Sequence, residues 1–207
     1  MENGSQVAKI VQLESNTSKS PRSLRNIDLR NREYLAEDEV EKLVKVIRKK
    51  SRNPDRDECL VWMMFQHGLR VSEIVNITWD QINFKTGMLH VNRLKGSIDG
   101  VHPITGKVMR LLRKLEKQKN KQRYVFISER KAVMDHQAVY RMLRRMEKEA
   151  ELGFPLHPHM LRHSCGYYLA NKGTDTRTIQ QYMGHAHIAN TVRYTHLDSR
   201  RFNGLFS

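Results

Sequence analysis

The ten residues from 157 to 166, His-Pro-His-Met-Leu-Arg-His-Ser-Cys-Gly, decide how this sequence is interpreted. Pro158 is favourable in the first turn of a helix, so the segment predicts a helix over 158–171. On that helix His159, Arg162 and His163 stand at positions i, i+3 and i+4, which places them on one face. A face with one guanidinium and two imidazoles is suited to binding an anionic oxygen.

The same segment allows a second interpretation, a zinc site held by His157, His159 and His163, because imidazoles one helical turn apart are common zinc ligands. The sequence has no His-Glu-x-x-His motif, and its two cysteines stand at no metal-ligand spacing. The charge of Arg162 beside a divalent cation is unfavourable, whereas beside a phosphate it is favourable. We therefore expect an anion site with no metal and no cofactor.

Outward from this segment, apolar residues at intervals of three and four predict further helices. The predicted helices cover residues 37–51, 55–65 with a stop at Gly68, 71–77, 107–118, 136–151, 158–171, 176–183 and 188–194. Short apolar runs within 88–104 flank a glycine-containing turn, which is typical of a β-hairpin, and 124–127 is predicted as a short strand. The expected fold is mainly α with a small antiparallel β-sheet.

Charge is the strongest compositional feature, since 37 Lys and Arg residues stand against 22 Asp and Glu residues. The formal net charge of +15 indicates a polyanionic partner. Composition alone leaves DNA, RNA and a lipid surface open, besides a basic surface that is merely solvated. The arginines of helix 136–151, namely Arg141, Arg144 and Arg145, are candidates for contact with a DNA duplex, the alternative being a solvated helix face.

The length of 207 residues and the hydrophobic fraction of 39% fit one folded domain with an extension. Residues 1–33 are rich in Asn, Ser, Lys and Arg and predict a flexible basic leader, which leaves 34–207 as the folded domain. The longest apolar run, 59–65, is too short to span a bilayer, and the first residues lack a secretory signal. With only Cys59 and Cys165 available, we expect a reducing, cytoplasmic setting.

Several short motifs appear in a fixed order along the chain. They are Gly-Leu-Arg-Val-Ser-Glu with Arg70 and Glu73, a hairpin lysine at Lys95, His-x-x-Arg-His with His159, Arg162 and His163, Gly-His with His185, and Tyr194 near the end. Together they resemble the catalytic motifs of the tyrosine recombinases, the phage integrase family, over Tyr34 to Tyr194. Stretches 93–96, 101–103, 157–166 and 190–195 are similar to the recombinases that invert fimbrial promoter elements. Many integrases carry a further core-binding domain that a 33-residue leader cannot supply, and the fimbrial subgroup is similarly short.

The resemblance implies a covalent mechanism in which Tyr194 forms a 3′-phosphotyrosine and releases a 5′-hydroxyl. It implies that Arg70, Arg162 and His185 hold the phosphate oxygens, and that Lys95 protonates the leaving oxygen. His159 is then the expected base, while Glu73 and His163 are supporting residues.

The resemblance further implies a nucleoid-associated enzyme that acts as a homotetramer on double-stranded DNA with paired inverted repeats, with DNA-bending accessory proteins as further partners. The expected outcome is phase variation of a fimbria through inversion of a promoter, and thus transcription regulation. An integrase or resolvase of the same chemistry, and a non-catalytic basic DNA-binding regulator, are the alternatives.

Overall fold

The computed structural model describes residues 33–93, 96–118 and 121–195, which belong to one compact unit. The helices are α1 (Glu37–Lys50), α2 (Pro54–His67), α3 (Val71–Val75), α4 (Gly106–Lys117), α5 (His136–Glu149), α6 (Pro158–Asn171), α7 (Thr176–Met183) and α8 (Ala189–Thr195). The strands are β1 (Ile82–Asn83), β2 (Met88–Val91) and β3 (Gly100–Pro103). The predicted fold class is confirmed. The predicted leader falls outside the described residues except for Glu33, and the boundary at residue 34 stays a prediction.

The sequence of helix α1 favours a helix through its end charges and its cap, in addition to its packing. Its first turn is acidic and its last turn is basic, which is favourable in the field of the helix dipole. The carboxylate of Glu39 accepts a hydrogen bond from the backbone N–H of Ala36 at 2.8 Å and caps the start. Val40, Leu43, Val44 and Ile47 form the buried stripe that packs on α2.

Helix α2 is the centre of the fold, because it contacts α1, α4 and α6 at once. Residues 59–65 are buried on every side of this helix, which explains their unbroken apolar run. The helix ends at Gly68, whose φ of 58° closes the last turn in a left-handed conformation that glycine adopts easily. Within the described ranges no helix is both long and apolar enough to cross a membrane.

The predicted hairpin is present and belongs to a three-stranded antiparallel sheet in the order β1-β2-β3. Leu89 pairs with Ile82 on one side and with His102 on the other. Alternate residues of β2 are buried, so Leu89 and Val91 face the core. Strand β1 was not predicted, because two residues are too few to show an alternating pattern.

The predicted strand at 124–127 is wrong. Tyr124 and Ile127 make only isolated bridges, with Thr78 and Val133 respectively. Val125 and Phe126 between them are buried in the core. Burial of these two side chains therefore produced the apolar run that resembled a strand.

The last three helices carry a second, small apolar cluster beside the main core. It consists of Cys165, Ala170, Ile179, Met183 and Tyr194. Helices α6 and α7 have the predicted bounds, and α8 begins one residue later than expected. This small cluster brings Tyr194 against α6 and α7.

We expect Leu60→Ala to lower the free energy of unfolding by about 2–5 kcal/mol, because Leu60 is fully buried in α2 and its truncation leaves a cavity. Urea unfolding followed by circular dichroism measures the change. Val101→Ala is the control, since Val101 is 56% exposed and should change stability by less than about 0.5 kcal/mol. Equal effects of the two substitutions would contradict the central place of α2.

Candidate active site

The chain turns sharply after α2 and presents Arg70 at the start of α3. The carboxylate of Glu73 accepts hydrogen bonds from the backbone N–H of Arg70 at 2.8 Å and from its Nη1 at 2.6 Å. Glu73 thereby caps α3 and orients the Arg70 guanidinium in one interaction. The spacing Arg-x-x-Glu in the sequence is the local cause of this arrangement.

Glu73 also contacts two further arginines, although its side chain is only 1% exposed. Arg93 Nη1 lies 2.8 Å from Glu73 Oε2, and Arg162 Nη1 lies 3.9 Å from the same oxygen. Burial opposes the charge of Glu73, yet the guanidinium of Arg93 and the hydrogen bonds from Arg70 hold its pKa below the usual value. Three guanidinium groups around one carboxylate give this cluster a net charge of about +2.

Arg162 projects from the middle of α6 into the space between the ends of two other helices. Its Nη1 donates to the carbonyl of Gly68, and its Nη2 donates to the carbonyl of Met183 at 2.7 Å. These carbonyls end α2 and α7, where the helix dipoles are negative. Burial, with the charges of Arg70 and Arg93, lowers the pKa of Arg162 to about 10, which still leaves it charged at neutral pH.

His185 follows the left-handed Gly184 that ends α7. Its Nδ1 lies 2.8 Å from Thr191 Oγ1, and its backbone carbonyl accepts a hydrogen bond from Gln180 Nε2 at 3.0 Å. Burial and the neighbouring charge of Arg162 lower the pKa of His185 to about 3. The imidazole is therefore neutral and held by α7 and α8.

Tyr194 lies on α8 and is 3% exposed. Its hydroxyl is 2.9 Å from Nδ1 of His163, and its ring stands edge-on to Tyr167, with centroids 5.1 Å apart. Burial raises the pKa of Tyr194 to about 12, despite the charges of Arg162 and Arg193. Burial also lowers the pKa of His163 to about 4, so this contact joins a neutral phenol to a neutral imidazole.

Gly166 makes room for the tyrosine ring. A Cβ atom at position 166 would lie 2.5 Å from Cε2 of Tyr194, which is shorter than any packed contact allows. The glycine in the middle of α6 therefore has a packing reason that outweighs its low helix propensity.

The structure brings most of the predicted site residues together. Arg70, Glu73 and Arg162 share the carboxylate cluster, and His163 and His185 flank Tyr194. His159 is exposed, and its ring centroid is 6.2 Å from that of His163, which is the histidine in contact with the hydroxyl. Lys95 lies outside the described residues, so its role and that of His159 stay predictions.

Sequence reasoning missed Arg93 and Thr191. The residues before Arg93 contain a signal, because Leu89 and Val91 face the core and the same alternation points residue 93 inward. A charged residue at an inward position requires partners. The bond from Thr191 to His185 depends on how α8 packs, and no local pattern indicates it.

The three arginines proposed for DNA contact are all exposed on α5. Arg141 and Arg145 line an open groove of about 740 Å³ that also contains Arg52, Arg56 and Arg130. Arg144 instead pairs with Glu147 at 2.9 Å. Among the described residues, no three His, Cys, Asp or Glu side chains are grouped to hold a metal ion.

A buried arginine cluster and a tyrosine on a mainly helical scaffold define the class of the tyrosine recombinases. Residues 33–201 match the Phage integrase family, and the chain belongs to it. It is 34% identical over 181 residues to "Type 1 fimbriae regulatory protein FimE" of Escherichia coli K12, covering 84% of this chain and 91% of the relative. The protein is thus a site-specific recombinase of the tyrosine type.

Solved structures show the same fold. The crystal structure of XerA recombinase has a TM-score of 0.71 and 28% identity, covering 82% of this chain and 62% of that chain. The pre-cleavage complex of XerH with its difH substrate has a TM-score of 0.72 and 22% identity, covering 83% and 52%.

We expect His67→Leu to weaken the acid sensitivity of the fold. His67 is buried beside the site, and neither of its ring nitrogens has a hydrogen-bond partner among the described residues. Burial, with the charges of His102 and Arg93, lowers its pKa to about 3, so below pH 6.5 the unfolded chain takes up a proton that the folded chain does not. Stability contributed by this group is therefore lost as the pH falls.

The measurement is urea unfolding at pH 7 and pH 5. The loss of unfolding free energy between these values should be smaller by about 2 kcal/mol in His67→Leu than in the wild type. His136→Leu, an exposed histidine on α5, is the matched control and should lose as much as the wild type. An unchanged pH dependence in His67→Leu would show that His67 is not neutral in the fold.

Proposed function

We propose that this recombinase cleaves and rejoins DNA through a 3′-phosphotyrosine on Tyr194, and that it inverts a promoter element flanked by short inverted repeats to control fimbrial phase variation. The observation that carries the chemistry is the position of the Tyr194 hydroxyl, 2.9 Å from His163 on the helix that also supplies Arg162. The buried positive charge of Arg162 acts on this tyrosine, which supports its assignment as the nucleophile.

The arginine cluster is suited to a phosphodiester. One carboxylate, Glu73, faces three guanidinium groups, so a bound phosphate supplies the negative charge that the cluster lacks. Arg70 is the more open partner, with 24% of its side chain exposed, whereas Arg162 is almost closed off. We assign both to the non-bridging oxygens, where they also stabilise the charge that develops in the transition state.

The histidines act as neutral groups in this scheme. We assign to His185 the tautomer whose Nδ1 accepts a hydrogen bond from the Thr191 hydroxyl, 2.8 Å away, so that the proton on Nε2 is available to a phosphate oxygen. We assign Nδ1 of His163 as the acceptor of a hydrogen bond from the Tyr194 hydroxyl, which orients that hydroxyl. His159 lies on the same face of α6. It is the proposed acceptor of the proton of the Tyr194 hydroxyl once a bound phosphate displaces the contact between that hydroxyl and His163.

The chemical step conserves the bond energy of DNA. Tyr194 Oη forms a bond to phosphorus and loses its proton, the bond from phosphorus to the 5′-oxygen breaks, and Lys95 supplies the proton to that oxygen. Attack by a 5′-hydroxyl on the phosphotyrosine reverses the step and reseals a strand. The scheme uses no cofactor and no metal.

Double-stranded DNA is the proposed substrate. The groove that contains Arg141 and Arg145 is lined by five arginines and three carboxylates, and this excess of arginine suits contact with a phosphate backbone. The fold neighbour XerH was solved with its difH substrate, which supports the same class of ligand here. A homotetramer on paired sites, with DNA-bending accessory proteins, supplies one nucleophile for each of four strands.

Inversion of a fimbrial promoter is supported by the likeness to a type 1 fimbriae regulatory protein over most of both chains. An integrase or resolvase would use the same residues with a different outcome. Two repeats placed in inverted and in direct orientation on a plasmid separate these possibilities, because inversion requires the first arrangement and excision the second. A basic regulator without catalysis would recombine neither.

We expect Tyr194→Phe to bind repeat DNA like the wild type and to form no covalent adduct. The phenyl ring keeps its packing against Tyr167 while the nucleophilic oxygen is removed. The measurement uses a nicked duplex carrying an inverted repeat from the neighbourhood of the gene, resolved on a denaturing gel. Wild-type protein should form a slowly migrating protein–DNA band. Adduct formation by the Phe variant would mean that another residue is the nucleophile.

We expect Gly166→Ala to reduce adduct formation by about 100-fold or more, since the added methyl group occupies the space of the Tyr194 ring and displaces the hydroxyl. Rates of adduct formation and binding to uncleaved DNA are measured side by side. Gly106→Ala is the matched control, because a Cβ there lies 3.7 Å from its nearest contact and meets no backbone. Full activity of Gly166→Ala would show that the buried position of Tyr194 is not the reactive one.

A further inference from the structure

Arg93 is the most completely buried cation of the site, with 1% of its side chain exposed. Its Nη1 donates to Glu73 Oε2 at 2.8 Å and to the carbonyl of Gly68 at 3.3 Å. Its Nη2 donates to the carbonyls of Tyr182 at 2.8 Å and His67 at 3.2 Å. One side chain thus joins the end of α2, the start of α3 and the end of α7.

The backbone of Arg93 is fixed as well. Its N–H donates to Oδ1 of Asp99 at 2.6 Å, which ties together the two ends of the connection between β2 and β3. Arg93 therefore joins Asp99, at the far end of the connection, to the helices that its own side chain contacts.

The contact with α7 is close. A Cβ at Gly184 would lie 2.9 Å from Nε of Arg93 and 2.7 Å from the carbonyl oxygen of Ile98. Both ends of the β2–β3 connection therefore rest on Gly184, the residue immediately before His185. Any other residue at 184 would push the connection away from the site, besides being strained at a φ of 64°.

We propose that Arg93 is a positioning residue that holds residues 96–99 of the β2–β3 connection on the arginine cluster, and that the proton transfer assigned to Lys95 depends on this anchor. The inference rests on the proposed function, in which Lys95 is the acid. Arg93 bonds to Glu73 and Gly68, which also bond to Arg70 and Arg162, and it packs against Gly184, the residue before His185.

Arginine is required for this task because of its geometry. Its planar fork offers several N–H donors in one plane, and four acceptors lie around it here. A lysine at this position keeps the charge beside Glu73 but cannot satisfy all four acceptors. Arg93→Lys therefore removes the anchor without leaving the buried carboxylate unpaired.

The anchor is tested by amide hydrogen exchange in the protein without DNA. Arg93→Lys should speed exchange of the amide at position 93, which is bonded to Asp99, and of residues 96–99 by about tenfold or more, while the paired strands β1, β2 and β3 stay protected. Arg113→Lys, an exposed arginine on α4, is the matched control and should exchange like the wild type. Unchanged exchange at these positions in Arg93→Lys would overturn the proposal.

The role in proton transfer is tested with a substrate whose 5′-bridging oxygen is replaced by sulfur, since a thiolate leaves without a proton. Arg93→Lys should cleave ordinary DNA about 100-fold more slowly than the wild type and recover to within about tenfold on the sulfur substrate, as Lys95→Ala should. Arg70→Ala should be slow on both. A loss for Arg93→Lys that is equal on the two substrates would overturn the proposal, because Arg93 would then act on the phosphate site.

Asp99→Ala provides a second variant that spares the buried cluster. Asp99 is exposed, and its substitution removes the bond to the backbone of Arg93 at the other end of the connection. We therefore expect a smaller loss of cleavage rate on ordinary DNA than in Arg93→Lys, with the same recovery on the sulfur substrate. Asp38→Ala on α1 is its control. If the wild-type protein forms no covalent adduct on either substrate, the proposed function itself is refuted. If the wild-type protein forms the adduct but neither Arg93→Lys nor Asp99→Ala cleaves the sulfur substrate faster than ordinary DNA, only the role of Arg93 is refuted.

Discussion

The site depends on one buried carboxylate that is shared by three guanidinium groups. Glu73 orients Arg70 directly, bonds Arg93, and lies within 4 Å of Arg162. Like charges of this density are unfavourable in a protein interior unless other groups compensate them. The compensation comes from the carbonyl ends of α2 and α7, which both point at the cluster. The meeting of the C-terminal ends of these two helices at the arginines is therefore an electrostatic requirement of the site.

Burial affects the arginines and the histidines of the site differently. The arginines remain charged, so the positive charge of the cluster does not change with pH near neutrality. His163 and His185 are kept neutral by their surroundings and can exchange single hydrogen bonds or protons. Fixed charge and proton handling are thus assigned to different residues within one small volume.

Much of this arrangement could be predicted from the sequence, and the parts that could not share a physical cause. The limits of α6 and α7 follow from Pro158 and Gly184, which are local signals, and the pairing of Arg70 with Glu73 follows from their spacing on α3. The contact of His163 with Tyr194 spans 31 positions and depends on packing between α6 and α8. Arg93 was overlooked because its four partners come from three separate segments, and the apolar run around Phe126 resembled a strand because burial alone selects the same residues.

The small apolar cluster that holds Tyr194 is separate from the main core built on α2. A substitution confined to that cluster leaves most of the buried surface of the molecule intact. Such a chain would fold, resist proteases and keep its arginine-lined groove, yet the proposed nucleophile would be displaced. In a cell that contains both forms, the altered subunits would enter the proposed tetramers together with normal ones, so under the proposed function one altered copy of the gene would be enough to block recombination.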